Sequence, residues 1–216
     1  LYNYLHYLTY SIFPRLGLDM AGRLTSVILS MVSIYMVYLI GNKLSGFFVG
    51  WIAALFMAVL PFNVYYSRVI LPEPLMISTL LLSYWLLLVA SESFGLKKVF
   101  LILTSSVFLA ISILVKPFAL FFALPHLAIL FRILIRKEIN VLLFLGYGVI
   151  SVLPFVAWRN HIANFPQGVP ASDWLLNSNG IRFRPAWFRW LFGERVGKLI
   201  LGIYGTTFFS LGLISK

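Results

Sequence analysis

Long stretches without a charged residue are the feature that most constrains this chain. Six of them occur, at 24–42, 44–67, 74–91, 99–115, 139–158 and 199–215. Each is close to the roughly 20 residues that a helix needs to cross a hydrocarbon core of about 30 Å. A seventh stretch, 117–131, is shorter, but Arg132 can extend it by placing its guanidinium in the interface. Because lipid leaves the backbone groups of open strands unpaired, the pattern predicts an all-α polytopic membrane helix bundle of about seven transmembrane helices.

The composition is not that of a soluble domain. Hydrophobic residues make up 61% of the 216 residues and charged residues only 11%, well below the charged share of a soluble protein. The net charge is +11, which in a membrane protein suits anionic lipid headgroups or a phosphate-bearing ligand and does not indicate nucleic acid. The chain has no cysteine, which excludes disulfides and thiolate metal sites. We therefore expect an integral, multi-pass membrane protein.

The predicted organisation is a single transmembrane domain over 1–216. The aromatic-rich residues 1–23 are expected to form an interfacial loop tail, and six spans follow within 24–158. Residues 159–198 are expected to form an outer polar loop, and 199–215 the last span.

Two shorter motifs refine this organisation. Pro185 can open an interfacial amphipathic helix in the long polar loop. The small-xxx-small spacing of Gly46 and Gly50 predicts close helix packing. The apolar face of the interfacial helix would comprise Trp187, Phe188, Leu191 and Phe192.

Basic residues at the span ends indicate the orientation. Seven basic residues flank one set of ends and four flank the other when the long polar loop is set aside. The positive-inside rule then places the turns containing Lys97 and Arg132 in the cytoplasm and the loop containing Arg68 outside. When the basic residues of 159–198 are included, ten basic residues flank the outer ends and seven flank the cytoplasmic ends. We favour the count without this segment, because the rule applies to short loops.

The stretch VYYSRVILPEPLM, residues 64–76, places an arginine and a glutamate between apolar runs. Pro72 and Pro74 restrict the backbone around Glu73 and favour a helix N-terminus there. In one interpretation Glu73 caps that helix and Arg68 anchors to headgroups. In the other, the two residues form the polar rim of a membrane cavity that binds a phosphate, a metal or an acceptor hydroxyl.

Four further residues are candidates for substrate binding. Lys116 lies between two apolar stretches beside a proline, where its ammonium either snorkels to the interface or binds a lipid-linked phosphate. Tyr66 belongs to the same segment as Arg68. Arg159 and His161 follow the sixth span, and a lone histidine at an interface is more often a hydrogen-bonding residue than a metal ligand. The chain shows no metal-ligand spacing of His, Asp and Glu.

Several blocks together resemble one family of membrane glycosyltransferases. They occur in order at 22–27, 35–46, 49–55, 61–68, 71–75 and 114–117. The blocks are similar to those of the dolichyl-phosphate-mannose protein mannosyltransferases and of bacterial relatives such as the aminoarabinose transferases. The resemblance runs from about residue 1 to residue 158. It implies a C-type glycosyltransferase fold, a polyprenyl-phosphate sugar donor and an active site on the outer face of the membrane.

The resemblance also implies roles for single residues. Glu73 matches an acidic residue near the active cavity, and Lys116 matches a lysine associated with the donor phosphate. The family carries its catalytic aspartate before the part of the sequence seen here, and Asp19 is too close to the next helix to replace it. We therefore expect the chain to be a fragment that lacks its general base, with Glu73 in a supporting role.

The expected function is transfer of a sugar from a polyprenyl phosphate to a protein, lipid or glycan acceptor at the plasma membrane. The expected partners are that donor, membrane lipids and the acceptor. No cofactor is certain, although a divalent metal ion is possible. The alternatives are a transporter or lipid flippase, which would carry ionisable groups at mid-membrane, and a non-catalytic membrane scaffold.

Overall fold

A computed structural model describes residues 1–165, 180–202, 205, 207, 210 and 211, and the regular structure in this part of the chain is helical throughout. The first half contains α1 (Tyr2–Ile12), a 3-10 turn (Pro14–Leu16), α2 (Gly17–Ser45), α3 (Phe47–Val59), α4 (Pro61–Tyr66) and α5 (Glu73–Ala90). The second half contains α6 (Gly95–Val115), a 3-10 segment (Pro117–Ala123), α7 (Leu124–Ile135), α8 (Val141–Ile162), a 3-10 turn (Ile181–Phe183) and α9 (Pro185–Phe188), which continues as a π-helix (Arg189–Leu201).

Five helical segments of the described chain are long and apolar enough to cross a membrane: Pro14–Ser45, Glu73–Ala90, Gly95–Val115, Pro117–Ile135 and Val141–Ile162. The all-α polytopic bundle predicted from the sequence is therefore confirmed, with a different span count. The stretch 44–67 is not one helix, and most of the predicted last span, 199–215, lies outside the described residues.

A break at Leu60 divides the second predicted span. Pro61 disfavours a helical residue before it, and Leu60 is extended, with φ −58° and ψ 128°. Pro61 has no N–H to donate to the carbonyl of Met57, and Asn63 Nδ2 donates to that oxygen instead, at 2.8 Å. The 13 residues of α3 cover only about 20 Å at 1.5 Å per residue. Alone, α3 is too short for a hydrocarbon core of about 30 Å.

Residues 1–23 are more regular than a loop tail. α1 packs on α2, which begins at Gly17, seven residues before the predicted span. The Tyr2 hydroxyl lies 2.9 Å from Ser26 Oγ, and Thr25 Oγ1 donates to Thr9 Oγ1 at 2.8 Å. These hydroxyl contacts between small residues hold α1 against the first span. The position of α1 at the membrane surface stays a prediction.

The core lies where α5, α6, α7 and α8 meet. Its fully buried members include Leu87, Ile102, Leu109, Leu130 and Tyr147. Large apolar side chains are instead exposed on the outer faces of the helices, among them Phe48, Trp51 and Leu55 of α3. A bundle in lipid needs no polar exterior, so this exposure agrees with a membrane environment.

Gly50 makes the close helix contact that the small-xxx-small motif predicts, but its partner is Gly41 and not Gly46. A Cβ on Gly50 would lie 2.7 Å from the carbonyl oxygen of Tyr38 and 2.8 Å from the backbone nitrogen of Asn42. A Cβ on Gly41 would lie 2.8 Å from the Cα of Gly50. Gly46 lies in the turn between α2 and α3 with φ +96°, a conformation that suits glycine.

Ion pairs mark the two ends of the bundle. Because successive spans are antiparallel, Lys43, Glu92, Lys98 and Glu138 share one end, called here the Lys98 end. Lys43 pairs with Glu92 at 2.5 Å and Lys98 with Glu138 at 2.5 Å. Glu73 and Lys116 lie at the other end, called here the Glu73 end. These three interhelical ion pairs thus lie at the ends of the spans, which agrees with spans that are free of charge.

Pro185 begins α9, as the sequence predicts. Phe188 and Phe192 are exposed, whereas Trp187 and Leu191 are half-buried. The Arg195 guanidinium lies 4.7 Å from the Trp190 ring centroid. The segment has exposed aromatic and basic groups, and its location in the membrane interface stays a prediction.

Gly50→Ala should destabilise the bundle by about 1–3 kcal/mol, because backbone atoms of α2 lie within 3 Å of the new Cβ and must move. Gly148→Ala is the matched control, since nothing lies within 4 Å of a Cβ on Gly148 in α8. Thermal unfolding in detergent should show a lower Tm for the first variant and an equal or higher Tm for the second. Equal Tm values would contradict the close Gly41–Gly50 contact.

The Lys98–Glu138 pair should make the stability of the protein depend on pH in the acidic range. The hydrogen bond from Lys98 holds the pKa of the Glu138 carboxyl below its usual range. A carboxyl whose folded pKa is lowered contributes stability above its unfolded pKa, about 4.3, and loses it as pH falls through the folded pKa.

Glu138→Gln should therefore lower the Tm at pH 7, where it leaves the Lys98 ammonium, with a side chain 4% exposed, without its partner. The difference from the unsubstituted protein should shrink below about pH 4. Glu92→Gln is the control, since the Glu92 side chain is 68% exposed and an exposed pair contributes little. A Tm difference that is independent of pH would contradict this role.

Candidate functional site

Glu73 is the first residue of α5, where the flanking prolines place it. Its side chain makes no capping hydrogen bond at this helix start. Instead, Glu73 Oε1 accepts a hydrogen bond from Lys116 Nζ. The carboxylate is thus half of an ion pair between two helices, and the capping interpretation is wrong.

Lys116 is placed by the end of α6. Pro117 disfavours a helical conformation for the residue before it, and Lys116 is extended, with φ −146° and ψ 119°. The Lys116 side chain is 29% exposed and that of Glu73 is 18% exposed. The ammonium also lies 5.7 Å from the centroid of the Phe118 ring. Lys116 therefore has a fixed partner, which a lysine that only snorkels to the interface would lack.

Serine hydrogen bonds set the register that brings these two residues together. Ser83 Oγ donates to the Ser105 carbonyl at 2.8 Å, and Ser105 Oγ donates to the Ser83 carbonyl at 2.8 Å. Two turns closer to the Glu73 end, Ser112 Oγ donates to the carbonyl of Met76 at 3.0 Å. All three serines are buried. One further turn along the same antiparallel interface lie Glu73 and Lys116.

A cavity of about 230 Å³ opens beside Glu73. Its walls come from α2, from the end of α3, from α4 with the turn after it, and from the start of α5. The lining residues are Ser30, Ser33, Ile34, Met57, Ala58, Phe62, Asn63, Val64, Tyr66, Ser67, Arg68, Glu73, Pro74 and Ile77. The structure thus brings Tyr66, Arg68 and Glu73 to one cavity. Lys116 is not part of the lining and contacts this site through Glu73.

Arg68 lies in the turn after α4 and is held by its backbone. Its carbonyl accepts a hydrogen bond from Arg23 Nη1 at 3.2 Å, and Arg23 Nε donates to Asp19 at 3.0 Å. Within the described residues, the Arg68 guanidinium itself has no hydrogen bond or ion pair. Arg68 and Arg23 also line a more open groove of about 540 Å³ on the outer side of α4. A fixed backbone with an unengaged guanidinium suits binding of an anion.

The charges at this site do not balance. Glu73 offsets Lys116, and the Arg68 guanidinium leaves one positive charge in excess. The second oxygen of Glu73, Oε2, is buried and has no hydrogen-bond partner. A carboxylate oxygen without a donor is costly, so the site is not fully satisfied by the described residues alone.

Asp19 does not join the cavity. It is exposed, forms an ion pair with Arg23, and is absent from the lining. This agrees with the prediction that Asp19 cannot replace the catalytic aspartate. Within the described residues no group of three His, Asp or Glu side chains could hold a metal ion.

Arg159 and His161 lie in the last turn of α8 and are exposed. The His161 ring packs between Trp158 and Phe165, with centroid distances of 5.7 and 5.5 Å. Neither Arg159 nor His161 lines the cavity beside Glu73. Their role in substrate binding stays a prediction.

Sequence reasoning missed the polar residues that lie within the apolar runs: Ser30, Ser33, Asn63, Ser83, Ser105 and Ser112. One signal was available for the interhelical set. Ser105, Ser112 and Lys116 recur at spacings of seven and four along α6, which places them on one face of a helix. Glu73, Met76 and Ser83 share a face of α5 in the same way.

Comparison with known families gives a match to a family model over residues 1–158, most of the chain. The matched model is that of the dolichyl-phosphate-mannose-protein mannosyltransferases. The chain belongs to this family. The mannosyltransferase match covers α1 to α8 up to Trp158, and therefore includes Glu73, Lys116 and the whole cavity. Comparisons with curated proteins and with solved structures gave no match.

Proposed function

We propose that this member of the mannosyltransferase family transfers a sugar from a polyprenyl phosphate to a hydroxyl or amine acceptor at the Glu73 end. The observation that carries the proposal is the Lys116–Glu73 ion pair beside a cavity lined by Arg68, whose guanidinium has no partner among the described residues. The family match supports a membrane glycosyltransferase. That the sugar donor is a polyprenyl phosphate is part of the proposal.

The excess of one positive charge at the site favours binding of a phosphate. In the proposed reaction the bond between the sugar C1 and the phosphate oxygen breaks, and the polyprenyl phosphate leaves with the electron pair. The acceptor oxygen or nitrogen bonds to C1 with inversion, and its proton passes to a base. Lys116 and Arg68 would stabilise the negative charge that develops on the leaving phosphate, because preformed cations need no reorganisation during the step.

Glu73 has a supporting role in this scheme. Its Oε1 is engaged by Lys116, so the carboxylate fixes the position of the ammonium and is a poor candidate for the base. Among the described residues, no other carboxylate lines the cavity. We therefore assign proton removal to none of them.

The proposed location follows from the charge pattern. The Lys98 end carries Lys43, Lys97, Lys98, Arg132 and Lys137 in short turns, which favours a cytoplasmic position. The Glu73 end would then face outward from the plasma membrane, where the acceptor is a protein, a lipid or a glycan.

Lys116→Ala in the full-length protein should lower the rate of transfer from a polyprenyl-phosphate sugar by about a hundredfold, the usual effect of losing one charge-stabilising group. Membrane insertion should be unchanged. Lys97→Ala is the matched control, since Lys97 is exposed at the other end of the same helix. Transfer of a radiolabelled sugar by purified protein in lipid vesicles measures the effect, and an unchanged rate in Lys116→Ala would refute the role in phosphate stabilisation.

Glu73→Gln should reduce transfer by at least about tenfold while the Tm falls by only a few degrees, since glutamine keeps the volume but not the charge that holds Lys116. Glu92→Gln removes the charge from an exposed pair and should leave transfer intact. Parallel activity and Tm measurements separate the effects. If activity fell only in proportion to the folded fraction, Glu73 would be a structural residue.

A further inference from the structure

The inner part of the cavity, away from Arg68 and Glu73, differs from the outer part in its depth and in its lining residues. Its α2 wall carries Ser30 and Ser33, one and two helical turns beyond Ser26. Ser26 donates to the carbonyl of Val69 in the turn before α5, at 2.8 Å. At 1.5 Å per residue, Ser30 and Ser33 lie about 6 and 10 Å deeper along α2 than Ser26. The cavity therefore extends into the bundle, towards membrane depth.

Polar groups of the cavity lining are not all used by the protein. Ser33 Oγ donates to the carbonyl of Leu29 at 3.0 Å. The half-buried Ser30 and Tyr66 hydroxyls have no hydrogen bond within the described part of the chain. Asn63 uses its Nδ2 on the carbonyl of Met57, and its Oδ1 acceptor has no partner there. Three groups that can bond a neutral ligand thus border one cavity.

The remaining inner lining is apolar. Ile34, Met57, Phe62 and Ile77 are uncharged and hydrophobic, and the charged members of the lining, Arg68 and Glu73, flank the turn between α4 and α5. A charged group would be costly at this depth. A ligand with several hydroxyls and some C–H surface matches this combination of polar and apolar lining residues. The whole cavity, including the part beside Arg68 and Glu73, has a volume of about 230 Å³. This lies below the roughly 300–1,000 Å³ of pockets for drug-sized molecules and leaves room for no more than a single small ring.

We propose that this inner cavity binds one sugar ring, with Ser30, Asn63 and Tyr66 bonding its hydroxyls and thereby setting which sugar is accepted. The proposal rests on the proposed function and adds the residues that determine specificity. Either the sugar of the donor or a sugar of a glycan acceptor supplies this chemistry. A site that hydrogen-bonds a hydroxyl discriminates strongly against analogues that lack it.

The test removes single hydroxyl groups from the protein and from the sugar, and compares the effects on kcat/KM. Full-length protein in vesicles is assayed with a polyprenyl-phosphate hexose and with each of its monodeoxy analogues, before and after Ser30→Ala. The unsubstituted protein should prefer the parent sugar in kcat/KM over one particular analogue. Ser30→Ala should reduce that preference about three- to tenfold, the equivalent of one hydrogen bond, and should leave the other ratios unchanged.

Tyr66→Phe extends the test to the α4 wall and should relax discrimination at a different hydroxyl. Ser106→Ala is the matched control, because Ser106 is buried in α6 and donates to its own helix at the carbonyl of Leu103. The same panel is repeated with monodeoxy glycan acceptors. A change confined to donors identifies the donor sugar as the ligand, and a change confined to acceptors identifies the acceptor sugar.

The outcomes separate the two proposals. One outcome is that the unsubstituted protein transfers sugar while Ser30→Ala and Tyr66→Phe leave every kcat/KM ratio unchanged or lower all rates equally. In that case the inner cavity does not determine which sugar is accepted. If the unsubstituted protein transfers from no polyprenyl-phosphate sugar, the proposed function fails and the specificity role fails with it.

Discussion

The reciprocal hydrogen bonds between Ser83 and Ser105 fix the interface on which the site depends. In lipid the hydrophobic effect does not press helices together, so small residues and hydroxyl groups determine how they pack. Each of these serines donates to the carbonyl of the other. The Tyr147 hydroxyl of α8 lies 3.2 Å from Ser105 Oγ and ties a third helix to the pair. This buried cluster sets the register of α5 against α6, and the register sets the distance between Glu73 and Lys116.

The ion pairs of Lys98 and Lys116 are alike in chemistry but differ in their surroundings. Lys98 and Glu138 join α6 to the turn before α8, and neither residue lines the cavity beside Glu73. Lys116 and Glu73 join α6 to α5 in the same way, but Glu73 borders a cavity that Arg68 also lines. Among the described residues, the buried Oε2 of Glu73 has no donor and the Arg68 guanidinium has no partner. The first pair is explained by stability alone. The second leaves unsatisfied polar groups that a ligand can satisfy.

The sequence allowed prediction of the bundle, its charge-free spans and the position of Glu73 at a helix start. Hydropathy and proline stereochemistry are local, and both act within a few residues. The break at Leu60 was missed because the run 44–67 has no charge and hydropathy does not register the N–H that Pro61 lacks. The Glu73–Lys116 contact depends on the register of α5 against α6, and the cavity depends on how α2, α3, α4 and α5 are placed around it. Such distances between helices are set by serine and glycine contacts that apolar patterns do not reveal.

The serine bonds between α5 and α6 also determine which parts of the molecule can move. Sliding one helix past the other by a single residue would shift it by about 1.5 Å and rotate its contact face by roughly 100°. Such a step would break the Ser83, Ser105 and Ser112 bonds at once, so these bonds resist a change of register between α5 and α6. The segment from Leu60 to Leu71 is different, because it contains a helix break, one short helix and a turn. The walls of the cavity therefore differ: Glu73 begins a helix that these bonds hold to α6, whereas Tyr66 and Arg68 belong to the short α4 and the turn after it.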